Sequence, residues 1–317
     1  MVEPRLKYPI LLSILAALLT IGLKAAAYLL THSVGLLSDA VESGVNLVAA
    51  LTAYLSLRYA AKPVDASHTY GHEKIEFFSS GLEGALILVA ALAIAWYSVR
   101  RLVTPEPLEP LGTGLAISLL ASLINGGVAW VLLRAGRRHG SIVLEADGRH
   151  LLTDVWTSVG VLVGLGLVWA TGVQWLDPVI ALVVAANILW TGVDLVRRSF
   201  NGLMDHALPA AEQARARVAI EAHLGPHMAY HALRTRQAGS RRFVDFHLLV
   251  PGCLTVRQAH AFTEQIEQAV RAALPGLEVT VHIEPIEEQA AWEDSELLAV
   301  ERGKDAARPR DAGRGRS

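Results

Sequence analysis

The chain's capacity for chemistry lies in its carboxylates and histidines, and several of them stand at regular spacing. Asp39, Glu42 and Asn46 are three and four residues apart, so a helix presents all three on one face. His150 and Asp154, four apart, share a face in the same way. Two such helices meeting at one point supply four donors, the number a tetrahedral transition-metal ion takes. A hydrogen-bonded polar clamp between helices is the plain alternative. It suffices for Asn46 alone, but two carboxylates with a His and an Asn at matched spacing favour metal.

A second set stands close together in sequence. Asp65, His68 and His72 fall within eight residues, and a short turn can gather these two imidazoles and a carboxylate. Solvated surface is an equal reading of such a pair of histidines. His72-Glu73 opens a pattern used by zinc proteases, but Glu76 stands where that pattern needs a second His, so the protease reading fails. A third set, His231, His247, His260, His282 and Glu284, is spread over a C-terminal region. His282 and Glu284 are two apart on a predicted strand and share its face. His206, His223 and His227 make that region His-rich in general, which leaves a pH-sensitive surface as the competing reading.

The elements that must position these residues follow from composition. The chain has 317 residues, 52% hydrophobic and 18% charged, against about a quarter charged in soluble domains. That is too little polar surface to wrap a globule of this length. The net charge of −2 excludes a strongly basic nucleic-acid binder, and the single cysteine, Cys253, excludes a disulfide framework or a Cys-rich zinc knuckle. Apolar runs at 9–30, 34–57, 78–99, 111–133, 151–172 and 177–196 each approach the roughly 20 residues that cross a bilayer. With the N-terminus inside, Arg5, Lys7, Arg58, Lys62, Lys74, Arg134, Arg137, Arg138, Arg149, Arg197 and Arg198 are cytoplasmic, and only Arg100 and Arg101 face out. Both termini are therefore expected in the cytoplasm. Lys24, Glu83, Asn125, Asn187 and Asp194 stand scattered in the apolar runs and read as packing, helix-end or mutually paired residues. Beyond Arg198 the chain turns polar, with helices expected at 209–224 and 256–274 and strands at 229–237, 242–250 and 277–283. This αββαβ order predicts a small α+β domain, followed from 287 by a charged tail that reads as disordered.

Three stretches together make the sequence similar to a known family. They are Ser33-Val-Gly-Leu-Leu-Ser-Asp39-Ala-Val-Glu42-Ser-Gly-Val-Asn46, the loop Pro63 to Glu76 with His68-Thr-Tyr-Gly-His72-Glu-Lys74, and Ala146-Asp147-Gly-Arg-His150-Leu-Leu-Thr-Asp154. Over residues 8–286 the chain resembles the cation diffusion facilitators, six-span metal/proton antiporters of the zinc/iron type in bacteria. The resemblance implies a six-helix transmembrane domain at 1–204, a cytoplasmic ferredoxin-like domain at 205–286 and a tail at 287–317. It implies a transport site at Glu42, Asn46, His150 and Asp154, with Asp39 accessory, and a loop metal site at Asp65, His68 and His72. It further implies a cytoplasmic binuclear site at His231, His247, His260, His282 and Glu284, and an ion pair of Lys74 with Asp205 linking the two domains.

A homodimer in the inner membrane, exchanging protons for zinc, or for manganese, iron, cobalt or cadmium, is the implied activity, with no nucleic-acid partner. Family members that carry zinc usually have His or Asp where Glu42 stands and Asp where Asn46 stands. This chain departs from them at both positions, so its site is harder and carries one titratable group fewer. A membrane metalloenzyme and a metal-sensing scaffold are the other classes these ligands could serve. The enzyme would need an open coordination position and a nearby base, and the scaffold would leave Glu42 and His150 dispensable.

Overall fold

The computed structural model describes residues 4–31, 34–104, 113–173 and 175–293. Two compact units divide at Met204/Asp205. The first contains α1 (Pro4–Thr31), α2 (Val34–Ala60), α3 (Ile75–Val103), α4 (Thr113–His139), α5 (Ile142–Thr171) and α6 (Leu176–Leu203). Among the described residues, Leu6–Ala26, Ile75–Val103, Leu119–His139 and Pro178–Leu203 are long and apolar enough to cross a membrane. The remaining two helices, α2 and α5, have the length, at 27 and 30 residues, and hold the ionisable residues of the candidate transport site.

The bundle interior holds large apolar side chains such as Ile10, Ile87, Leu132, Leu144 and Leu195. Between them lie small residues such as Ser13, Ala16, Ala17, Ala49, Ala50, Ala53, Ser79, Ser80 and Ala129. Large apolar side chains such as Leu15, Val89, Trp96 and Trp190 point outward. In hydrocarbon there is no gain in hiding a Leu, so close backbone approach and interhelical hydrogen bonds hold the helices instead. The α3/α6 seam is the clearest case. A Cβ on Gly84 would lie 2.8 Å from Val196 Cγ2 and 3.1 Å from the Val196 backbone nitrogen, and one on Gly192 would lie 2.8 Å from Leu88 Cδ2. The Ser199 hydroxyl donates to the Phe77 carbonyl across this seam.

Two expectations change here. The charged stretch between the fourth and fifth apolar runs is not a long loop. Both helices run through it, and only Gly140, at φ +67°, and Ser141 separate them. Glu145, Asp147 and Arg149 lower the local hydropathy without breaking the helix, so hydropathy places the start of this helix nine residues late. Hence His150 and Asp154 lie more than two turns inside α5. Arg149 is likewise no loop cation: it donates to Asp194 of α6 at 2.6 Å, and Arg198 of α6 donates to Glu145 at 2.8 Å.

The second unit contains α7 (Ala210–Glu221), β1 (Ala229–Ala238), β2 (Arg241–Val250), α8 (Val256–Ala273), β3 (Leu277–Pro285) and α9 (Ala290–Glu293). The sheet runs β1-β2-β3, antiparallel between the first pair and parallel between the second, with α8 as the crossover. Thr255 and Gln258 close a capping box at the start of α8. Ala216 and Ile220 of α7 and Ala259, Ile266 and Val270 of α8 pack with Val244, Phe246 and Leu248 on one sheet face. Residues 287–293 correct the expectation of disorder from 287 onward: they include α9, whose Trp292 ring nitrogen donates to the Ile286 carbonyl at 3.0 Å. The rest of the tail lies outside the described residues.

Because Gly84 has no room for a side chain, Gly84→Val is expected to destabilise the α3/α6 seam by about 1–3 kcal/mol. A lowered thermal unfolding midpoint of the detergent-solubilised protein checks this.

Candidate metal centres

Three groups of donor residues come together, one deep in the helical bundle, one on its loop and one on the sheet. In the bundle, α2 brings Asn46 and α5 brings His150 and Asp154 to one place. Asn46 is 3% exposed and His150 6%. The Asn46 amide nitrogen donates to Asp154 Oδ2. His150 Nε2 lies 2.8 Å from Asn46 Oδ1, an atom that can only accept, so Nε2 carries the proton and donates. That leaves His150 Nδ1 as the lone-pair nitrogen, buried and without a partner among the described residues. Buried polar atoms are normally satisfied, so this nitrogen fits a group that binds something further. The side chains of Glu42 and Asp39 lie outside the described residues.

Sequence reasoning missed Asn125. It sits on α4, 3% exposed, and its amide donates to Asp154 Oδ2 at 3.1 Å. Asp154 is thus held by amides from two helices, which fixes the carboxylate's direction. Ser122 and Ser158, at 2.5 Å between hydroxyl oxygens, extend the same α4/α5 contact by one turn. Ser122 and Asn125, three apart in an apolar run, were the available signal.

The loop between α2 and α3 gathers all three of its predicted donors. Asp65 Oδ1 is 3.1 Å from His68 Nδ1, and Asp65 Oδ2 is 3.2 Å from His72 Nε2. One ligand atom from each of the three lies within 4.8 Å of the others. His72 is buried, with the Tyr59 ring edge-on at 4.9 Å, which sets it apart from a solvated surface histidine. The backbone N–H of His68, at 2.7 Å, and that of Ser67, at 2.9 Å, both donate to Asp65. The His68 backbone bond is the main reason the Asp65 carboxyl sits below its ordinary value of 3.8.

The third cluster is set by strand register. His231, His247 and His282 pair across β1, β2 and β3, forming a row on the face opposite α7 and α8. Glu284, two residues on from His282, lies against all three and accepts a hydrogen bond from His231. It is 2.9 Å from His231 Nε2, 3.0 Å from His247 Nδ1 and 3.5 Å from His282 Nε2. His231, His247 and Glu284 place one ligand atom each within 4.8 Å of the others.

A β-bulge makes this row possible. Between His231 and Arg234 the register gains one residue on β1, and Ala232 there has φ +52°. Leu233 and Thr235 face the helices. In an unbroken strand His231 would share their face, since side chains two apart point the same way. The extra residue turns His231 to the opposite side, beside His247. Burial is the main cause holding the His247 imidazole below its ordinary value of 6.5. His231, His282 and Arg234 add to that effect, and Glu284 opposes it. Its neutral form, the one that ligates, is therefore favoured.

His260 is the expected member that does not join. It is exposed on α8, which packs on the other sheet face through Ala259 and Thr263. Its periodicity gave no indication of which face the helix would cover. Lys74 lies in the first unit and Asp205 in the second. Within the second unit Arg236 reaches Asp205 at 3.5 Å.

Residues 10–204 match the cation efflux transmembrane domain family and residues 208–286 match the cation efflux protein cytoplasmic domain family. A transporter of Synechocystis, named as the uncharacterized transporter sll1263, is 50% identical over 282 residues, covering 89% of this chain and 91% of that protein. The cation-efflux pump FieF of Shewanella oneidensis is 32% identical, covering 87% of this chain and 92% of its own. The FieF pump of Klebsiella pneumoniae is 34% identical, covering 83% and 87%.

Two outcomes follow from the sheet cluster. Removing one ligand by His231→Ala, which leaves the other donors in place, should lower the zinc affinity of this cluster by about 10-fold or more, read by competition with a metal indicator. The second concerns pH in the metal-free protein. His247 takes up its proton less readily folded than unfolded, so its stabilising contribution is full above pH 6.5 and is lost as the pH falls below it. Hydrogen-exchange protection factors of the 229–250 strands, corrected for the intrinsic pH dependence of exchange, should therefore fall on acidification below 6.5, and His247→Asn should flatten that dependence.

Proposed function

The chain belongs to the cation diffusion facilitator, or cation efflux, family and is a membrane transporter, not an enzyme; from that premise we propose that it exports a divalent transition metal in exchange for protons. The observation that carries this reading is the junction of Asn46, His150 and Asp154, buried where α2 meets α5. Glu42, one turn before Asn46 on the same helical face, completes a four-donor site in this proposal. Its place on that face is read from spacing.

Metal reaching the site from the cytoplasm displaces protons from His150 and the carboxylates, because ligands bind deprotonated. The metal-free His150 donates through Nε2 and presents Nδ1. A metal ion and a second proton would both take the Nδ1 lone pair, the one His150 position not used in the hydrogen-bonded chain through Asn46 to Asp154. The two cargoes therefore compete for one set of atoms. Opening to the far side lets protons take the place of the metal, and the protonated site returns.

Zinc is the first candidate, supported by the His-rich row on the sheet. Three oxygens beside one imidazole make the transport site harder, and the neutral Asn46 removes a charge. Manganese, iron and cobalt are then tolerated better and fewer protons exchange per cycle. In this reading the loop and sheet clusters hold metal outside the pathway, and both termini are cytoplasmic, supported by the Lys and Arg distribution. The chain acts as a homodimer, supported by the match of residues 208–286 to a domain family named for a dimer.

Metal uptake into proteoliposomes under an imposed pH gradient tests the proposal. His150→Ala and Asp154→Ala should abolish flux while the protein stays folded; undiminished flux in both would sink the reading. Asn125→Ala, which removes an outer partner of Asp154, should weaken metal affinity by about 10–100-fold. Asn46→Asp should tighten zinc transport and raise its proton dependence.

A further inference from the structure

The membrane unit holds a second group of buried oxygen donors that the transport proposal does not use. Glu83 on α3 is fully buried, and neither of its carboxylate oxygens has a hydrogen-bond partner among the described residues. Asp147 on α5 is 1% exposed, and its Oδ2 is also without a partner there. The two carboxylates are close enough to interact electrostatically. On α1, the Ser13 hydroxyl, 1% exposed, approaches Asp147 without completing a well-aligned hydrogen bond. Three helices that pack together thus each carry an unpartnered oxygen donor inside an apolar bundle.

Such an arrangement is costly as it stands. An isolated ionised carboxylate away from water is penalised by far more than a folded domain's net stability, so it must pair with a cation or lose its charge. The nearby cations of α5 and α6 are committed elsewhere, Arg149 to Asp194 and Arg198 to Glu145. Donors that are oxygen only, without imidazole or thiolate, suit a hard divalent ion such as manganese or magnesium better than zinc.

We propose that Glu83, Asp147 and Ser13 form an oxygen-donor site for a divalent cation, separate from the Asn46–His150–Asp154 cluster. Asp147 precedes His150 by three residues, so it lies on the same face of α5 one turn nearer the helix start. The membrane half then carries two cation sites of different hardness in line along one helix. This site does not depend on the other being the transport site.

Manganese is the probe. Binding of Mn2+ to the full-length protein in detergent is counted from the loss of the free-ion EPR signal. Glu83→Gln and Asp147→Asn should each bind one ion fewer per chain than the wild type, whereas His150→Ala should keep that ion. Wild-type stoichiometry in both carboxylate variants overturns the site. A measurement on unmutated protein removes the question of folding. Hydrophobic carbodiimide should label Glu83, and Mn2+ should protect it, as read by peptide mass spectrometry. Equal labelling with and without Mn2+ overturns the proposal. Protection that persists in His150→Ala supports a separate site; protection lost there shows one merged site and overturns it.

Discussion

A polar side chain buried among apolar helices has to be satisfied by another polar group, and this constraint organises the membrane half. Asn46 answers it with unusual economy, because one amide both donates and accepts. Its nitrogen holds Asp154 and its oxygen holds His150, so α2 and α5 are joined by a neutral link in place of two like-charged carboxylates. An Asp at this position could accept from His150 but could not also donate to Asp154 without carrying a proton. The amide that removes a charge from this cluster also leaves it internally hydrogen-bonded.

The same constraint takes another form in the C-terminal unit. There the donors are not hidden in hydrocarbon but lined up on a sheet face, and Glu284 lies within ion-pair reach of three imidazoles. The helices occupy one face with a continuous apolar core, which frees the other for chemistry. Division of labour between the faces works only because the bulge at Ala232 changes which side of β1 each residue belongs to.

Much of this was legible in the chain. Periodicity of three and four placed Asn46, His150 and Asp154 correctly on their helices, since ionisable residues in an apolar run stand out. The loop donors were legible because they are adjacent in sequence. The strands and the pairing of His282 with Glu284 followed from period two. What escaped depended on contacts between segments remote in sequence. Asn125 looks like any lone amide until α4 is laid against α5. Glu83 gave no hint of Asp147, 64 residues away. The start of α5 was misplaced because hydropathy reports solvent preference, not helical order. The bulge leaves no mark in Tyr230-His231-Ala232-Leu233, so its existence was invisible even where its consequence, a His row, was expected.

The two-residue link at Gly140-Ser141 has a mechanical meaning. It makes α4 and α5 a stiff hairpin, and the bond from Asn125 to Asp154 lies wholly within that hairpin. Both bonds of Asn46 instead cross to a separate helix. If α2 slides against the hairpin, the site parts along that seam: His150 and Asp154 stay in register with each other and with Asn125, and only the Asn46 contacts are given up. The bundle has a designated line of cleavage, and it runs through the Asn46–His150–Asp154 cluster.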